Sequence, residues 1–355
     1  MISSPGSVDI NRNNFDILRL LFASMVVFFH VGILSQLPAF AWTQRFVSAT
    51  FAVQAFFVVS GILVTMSCEK SSSLWSYASK RIRRIVPAYV TVVVGAALCL
   101  SMLSELPLEE YLTSPALLRY LGFNLILSNF AAPTLPGVFV HNHEHDVNAS
   151  LWTIKIEVAF YCSVPLIVYA VRRWGYRPIL AVLFVTSLAW KGGFLILAAK
   201  TAHPIYAKLA KQLPAQLAFF MGGAWLYYQA REKRRAPALV LALLALPAYI
   251  LIEDELALVV VQPVAVTAII GWAALNAPKI PPIAPGSDFS YGIYLYHFPF
   301  VQAFVASGLL ARHPVLSLLA LICIVATIAV LSWRFVERPF LPHRKAPAGG
   351  APASG

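Results

Sequence analysis

The sequence predicts an all-α membrane protein of about ten transmembrane helices, with both termini cytoplasmic and one long external loop. Three observations carry this. Of the 355 residues, 59% are hydrophobic and only 12% charged, whereas soluble domains run at about a quarter charged. Apolar stretches of about twenty residues, the length that crosses roughly 30 Å of hydrocarbon, recur along nearly the whole chain. The basic residues behind the net charge of +12 fall in short clusters between these stretches. That is a positive-inside pattern and not one basic surface, so nucleic acid is excluded as a partner and membrane lipid is implied.

Ten segments read as spans: 16–37, 46–68, 85–104, 150–171, 178–199, 211–229, 236–252, 256–275, 289–310 and 314–335. The first follows a mixed-charge start with Asp9, Arg12 and Asp16 and is too long for a signal-peptide core, so it stays as a membrane helix. Alternating helices put Lys80, Arg81, Arg83 and Arg84, Arg172, Arg173 and Arg177, Arg231, Lys233, Arg234 and Arg235, and Arg338, Arg344 and Lys345 all on one side. Glu105, Glu109, Glu110, Glu144, Asp146, Glu253, Asp254 and Glu255 fall on the other. The loop 105–149 holds an apolar part, 114–131, which reads as a re-entrant or interfacial segment, because counting it as a span would put Arg172 and Arg231 outside. Residues 1–340 form one membrane domain, and 341–355, rich in Ala, Pro and Gly, form a disordered cytoplasmic tail. Cys68, Cys99, Cys162 and Cys323 lie in or at the ends of apolar segments, without metal or disulfide spacing, and read as packing residues.

Polar groups inside hydrocarbon are functional candidates by default. Arg19 and His30 share the first helix, and their spacing puts them within about 20° and about 16 Å, one stripe at two depths. His30 reads as a general base, a proton relay or a satisfied interior histidine. Glu157 lies at nearly the depth of His30, which predicts a contact between them; pairing with Lys155 or Arg119 is the bland alternative. Arg81 and Arg84, at the start of the third helix, suit phosphate or simply mark topology against anionic lipid; Arg19 at similar depth favours a two-helix polyphosphate clamp. Ser290, Tyr294 and His297 fall on one helical face, a polar seam that lines a cavity or glues two helices. The loop string HNHEHD, with His141, His143 and His145, has no second ligand cluster and reads as solvated; no metal is expected.

Arg19 and His30, the string Phe56-Phe57-Val58-Val59-Ser60-Gly61, the RxxR of Arg81 to Arg84, Ser150-Leu151-Trp152 through Glu157, the run SYGIYLYH and Glu337-Arg338-Pro339 together resemble the acyltransferase-3 family, from about residue 12 to residue 340. The resemblance implies transfer of an acyl group, usually acetyl from cytoplasmic acetyl-CoA as donor substrate, to a hydroxyl of a cell-envelope or exported glycan or glycolipid, in a bacterial inner membrane. It implies that Arg19 and His30 are essential and that Arg81 and Arg84 serve the donor. The extracytoplasmic SGNH domain fused to some members is not expected, and the LWTIKIE string is most similar to exopolysaccharide or surface-glycan modifiers. Acyl-CoA would dock its phosphates on Arg81, Arg84 and Arg19, and His30, oriented by Glu157, would deprotonate the acceptor hydroxyl, with Trp152, Ser290, Tyr294 and His297 lining the substrate path. The rival reading is a proton-coupled transporter using His30, Glu157 and His297, which calls for internal repeats that the sequence does not display.

Overall fold

The computed structural model describes residues 13–232, 238–284 and 286–341. Among these, every regular element is helical. A helix occupies each of the ten apolar segments: α1 (Phe15–Ser35), α2 (Ala49–Glu69), α3 (Leu74–Cys99), α4 (Trp152–Trp174), α5 (Tyr176–Thr201), α6 (Leu213–Arg231), α7 (Ala238–Leu251), α8 (Glu255–Gly271), α9 (Ser290–Ala306) and α10 (Pro314–Ser332). Seven, namely α1 to α5, α8 and α10 with their helical extensions, are long and apolar enough to cross a membrane. The other three differ for physical reasons. α7 has 14 residues and α9 has 17. α6 carries Gln216, Tyr227 and Tyr228 because it is an interior helix that faces protein on most sides.

Local chemistry sets the boundaries. Ser48 and Ser73 cap α2 and α3 by accepting from Phe51 N and Ser76 N, each at 3.1 Å. α3 thus starts eleven residues before its apolar run, so Arg81 and Arg84 lie two to three turns inside the helix and not at its start. Pro299 lacks the N–H that would bond Leu295 O, and Asn148 Nδ2 takes that carbonyl at 2.8 Å. α8 and α10 end in π turns, Trp272–Asn276 and Trp333–Glu337. Asn14 braces the first, donating to Ala273 O at 2.9 Å and accepting from Ile280 N at 2.9 Å.

α2 and α6 make the tightest crossing. A Cβ on Gly61 would fall 2.1 Å from Phe220 O, and one on Gly223 would fall 2.0 Å from Val58 O, so only glycines let these backbones meet. Phe160 joins α4 to the same crossing, stacked on Phe220 at 4.4 Å and edge-on to Phe57 at 5.4 Å.

The basic clusters gather at one end. Glu69 accepts from Arg172 at 3.3 Å and Arg231 at 3.5 Å, while Lys80 and Arg81 reach Ser71 and Ser67. Lys233, Arg234, Arg235, Arg344 and Lys345, the early Asp9 and Arg12, and the expected disordered tail after Leu341 lie outside the described residues. At the opposite end, the apolar part of the long loop forms a helix, Pro115–Leu125. Its 11 residues rise about 16 Å, half of what a span needs. Its backbone is covered: Tyr89 Oη donates to Asn124 O at 2.8 Å, and Asn124 Nδ2 donates to Tyr120 O and Ala132 O at 2.8 Å each. All four cysteines are unpaired; Cys68 is buried, whereas Cys99, Cys162 and Cys323 are exposed on the helix surfaces and do not pack the core.

Candidate active site

A cavity of about 620 Å³ lies between α1, α2, α3, α4 and α9. Its basic end is walled by Arg19, Lys80, Arg81 and Arg84, and its other end by Val53, Phe56, Thr153 and Tyr294, with Ser60, Glu157 and Tyr161 between. The FFVVSG string divides its labour here. Gly61 meets α6 while Ser60, one residue earlier, faces the cavity.

The four cations are not equivalent. Asp288 Oδ2 accepts from both Arg19 Nη1 and Arg84 Nη2. Its other oxygen accepts from Ser290 N at 3.2 Å and from Ser290 Oγ. Burial pushes the Asp288 carboxyl up, but Arg19 and Arg84 outweigh it and hold the group down at about 2. Arg84 also donates to Glu337 Oε2 at 3.1 Å and lies over the Tyr291 ring at 5.1 Å. Glu337 is 1% exposed and takes a further bond from Ser332 Oγ at 3.2 Å, so the π turn at the end of α10 serves to fold a carboxylate back onto α3. Lys80 and Arg81 meet no carboxylate among the described residues. Arg81 donates to Ser67 Oγ at 3.3 Å and stacks over Tyr161 at 5.4 Å, while its buried Nε has no partner among the described residues.

Glu157 accepts from Ser60 Oγ at 3.3 Å and from Tyr161 Oη. The expected contact with His30 is not made, and neither is the alternative with Lys155 or Arg119: Lys155 turns to Gln212 at 3.2 Å and to the Phe130 ring at 4.7 Å. His30 pairs instead with α9, its Nδ1 lying 2.9 Å from His297 Nε2. Equal depth did not bring Glu157 and His30 together because α1 presents that face to α9 and not to α4.

The seam on α9 is polar as expected, but its three members diverge. Ser290 holds Asp288, Tyr294 Oη meets Thr153 Oγ1 at 2.7 Å and Ser150 O at 3.2 Å, and His297 holds His30. Ser290 and Tyr294 line the cavity; the histidine pair lies one turn beyond Tyr294 and outside its walls, with the Tyr294 and His297 rings 5.9 Å apart. Trp152 packs against the core and does not line the cavity. In the HNHEHD loop His141 turns to Glu105 at 2.7 Å, and Asn142 donates inward to Gln302 Oε1 at 2.9 Å. Among the described residues no three His, Cys, Asp or Glu side chains are grouped to hold a metal.

Sequence reasoning missed Asp288, Glu337, Thr153 and Tyr161 as site residues. Glu337 sat inside the quoted Glu337-Arg338-Pro339 motif and Asp288 two residues before the run SYGIYLYH, and an acid at the basic end of the bundle was the signal that marked them.

Residues 12–335 match a family pattern described as an acyltransferase domain. Among curated proteins, nodulation protein 10 of Rhizobium leguminosarum bv. viciae is 27% identical over 94% of this chain and 94% of its own length. An O-acetyl transferase of Shigella phage Sf6 is 26% identical over 93% of this chain and 96% of its own. The peptidoglycan O-acetyltransferase OatA of Listeria monocytogenes is 23% identical over 91% of this chain and 55% of its own. No solved structure matches the chain.

Proposed function

The chain belongs to the acyltransferase-3 family and is an acyltransferase, and on that premise we propose that it moves an acetyl group from cytoplasmic acyl-CoA to a hydroxyl of a surface or exported glycan or glycolipid at a bacterial inner membrane. The relatives named as O-acetyl transferases support the acetyl group and the hydroxyl acceptor.

The observation that carries the reading is the polarity of the cavity along its length. At its basic end Lys80 and Arg81 carry charge that no carboxylate among the described residues balances, and the Nε of Arg81, without a partner among them, suits an anionic oxygen. These two residues seat the donor's phosphates. Arg19 and Arg84, tied to Asp288, shape that end and supply field more than direct ligands. About 16 Å further along α1, His30 adjoins the other end. The donor's thioester arm spans that distance, and the phosphates stay at the basic face.

At the reaction centre His30 takes the acceptor hydroxyl's proton as the oxygen attacks the thioester carbonyl. The C–O ester bond forms, the C–S bond breaks, and the proton passes to the departing thiolate. Glu157 faces the donor cavity, where Ser60 and Tyr161 hold it against the path of the thioester arm. Trp152, partly buried and off the cavity wall, is a packing residue in this scheme.

The test is mass spectrometry of surface and secreted glycans from cells making wild-type protein or the variants His30→Ala and Arg81→Ala, with membrane insertion verified. We expect His30→Ala to lower acetyl transfer by about 10²–10⁴-fold, the range general-base catalysis supplies, and Arg81→Ala to reduce it at limiting acyl-CoA. An acetylation pattern that persists unchanged with His30→Ala refutes the base assignment, and one that persists in a deletion strain refutes the glycan acceptor.

A further inference from the structure

The pairing of His30 with a second histidine, and not with a carboxylate, fixes more than orientation. His297 is fully buried on α9. Its Nδ1 lies 2.7 Å from Tyr294 O and 3.2 Å from Ile293 O. A carbonyl oxygen only accepts, so the proton of the neutral His297 ring sits on Nδ1. Its Nε2 therefore carries a lone pair, and that nitrogen is the one 2.9 Å from His30 Nδ1. For a bond to exist there, His30 Nδ1 must donate. The two rings lie 5.0 Å apart at 30°, with Phe298 edge-on to His30 at 5.0 Å, so packing holds the pair in register.

We propose that His297 is the positioning residue of the acyl transfer: by accepting from His30 Nδ1 it locks His30 in the tautomer whose Nε2 bears the free lone pair, and so assigns proton removal to Nε2. This rests on the reading of His30 as the base. The chain of donors runs one way, from His30 Nδ1–H to His297 Nε2 and from His297 Nδ1–H to the α9 backbone. In the transfer step the acceptor O–H bond breaks, its proton goes to His30 Nε2, and the acceptor oxygen bonds the carbonyl carbon as the thiolate leaves. His30 Nε2 then returns the proton to the thiolate. Throughout, His30 Nδ1–H stays on His297, which stabilises the transient imidazolium with a neutral acceptor. A neutral partner puts no carboxylate in direct contact with the His30 ring. The backbone makes the arrangement possible, since the carbonyls of Ile293 and Tyr294 face the His297 ring one turn below it.

The experiment compares wild type, His297→Leu, His297→Gln and His30→Ala in proteoliposomes supplied with acetyl-CoA and surface glycan purified from cells lacking the protein. Glutamine carries an amide oxygen that accepts where Nε2 did; leucine cannot accept. We expect His297→Leu to lower kcat about 100-fold, the lower end of a general base's contribution, with KM for acetyl-CoA unchanged. His297→Gln should recover at least about a tenth of wild-type kcat. Wild-type kcat in His297→Leu, or a folded His297→Gln as inactive as His297→Leu, overturns the proposal while leaving His30 as the base if His30→Ala is dead. Activity in His30→Ala overturns the base itself. Solid-state ¹⁵N spectra of histidine-labelled wild type, assigned with His30→Ala, read the tautomer without any substitution at 297. A protonated Nδ1 and bare Nε2 at His30 are expected, and a protonated Nε2 overturns the inference.

Discussion

Arg84 donates to two carboxylates, Asp288 and Glu337, whereas Arg81, three residues earlier on the same helix, meets none among the described residues. The consequence is a division between holding and binding. Arg84→Gln leaves Glu337, 1% exposed, with an uncompensated charge and leaves Asp288 with Arg19 as its remaining cation; removing one partner of a buried pair costs about 3–5 kcal/mol. The expected outcome is a lowered melting temperature in detergent, partly restored in Arg84→Gln/Glu337→Gln. Arg81→Gln should leave the melting temperature near wild type. It should raise KM for the acyl donor about 10- to 100-fold, the loss of one charge-assisted hydrogen bond of about 1.5–3 kcal/mol. Equal destabilisation by both variants would contradict the division. None of this was legible in the RxxR spacing, where the two arginines look alike. The carboxylates that separate them lie 204 and 253 residues away, and no local pattern reports a partner at that distance. The same holds for Glu157 and His30: helix direction predicts a depth for each, but their azimuths depend on which helices are neighbours.

Elements were far more legible than contacts. Hydrocarbon thickness imposes a length and an apolar composition on each helix, and those signals are local, so all ten segments carry helices within a few residues of their predicted bounds, α3's start excepted. α3 was read eleven residues short because its first turns, Leu74 to Arg84, are polar and the Ser73 cap was the sole marker of its start. The crossing of α2 and α6 was hidden too, since a glycine in an apolar helix does not say which neighbour it touches. Gly61→Ala tests that crossing. Its Cβ would meet Phe220 O at 2.1 Å, so α2 and α6 must part and carry Ser60 away from the cavity. A loss of about 1–3 kcal/mol, the usual cost of overpacking, with reduced transfer activity is expected from thermal unfolding and activity assays. Gly95→Ala on α3 is the control: nothing lies within 4 Å of its added Cβ, so stability should hold or rise slightly. If both variants behave alike, the crossing is not the constraint it looks to be.

For the whole molecule, the net charge of +12 matters through its placement. The cavity's unbalanced cations, Lys80 and Arg81, lie at the end where Arg172, Arg177 and Arg231 also gather around Glu69 and Glu232. If basic clusters stay on the cytoplasmic side, that end is where the proposed acyl-CoA donor arrives, and the loop bearing His143 faces the opposite compartment, where the proposed glycan acceptor is reached. Orientation and chemistry are then one claim, because a donor carrying several negative charges does not cross hydrocarbon and must find its cations on its own side. Single cysteines decide it. Ser72→Cys, in the exposed turn between α2 and α3 at the basic end, should react with a membrane-impermeant maleimide only after cells are lysed. His143→Cys, exposed in the opposite loop, should react in spheroplasts without lysis. Both are to be read in a background lacking the four native cysteines, so that Cys99, Cys162 and Cys323 on the helix surfaces add no signal. The reverse labelling pattern would put the cationic end of the cavity outside, and a cytoplasmic acyl-CoA could not then be the donor.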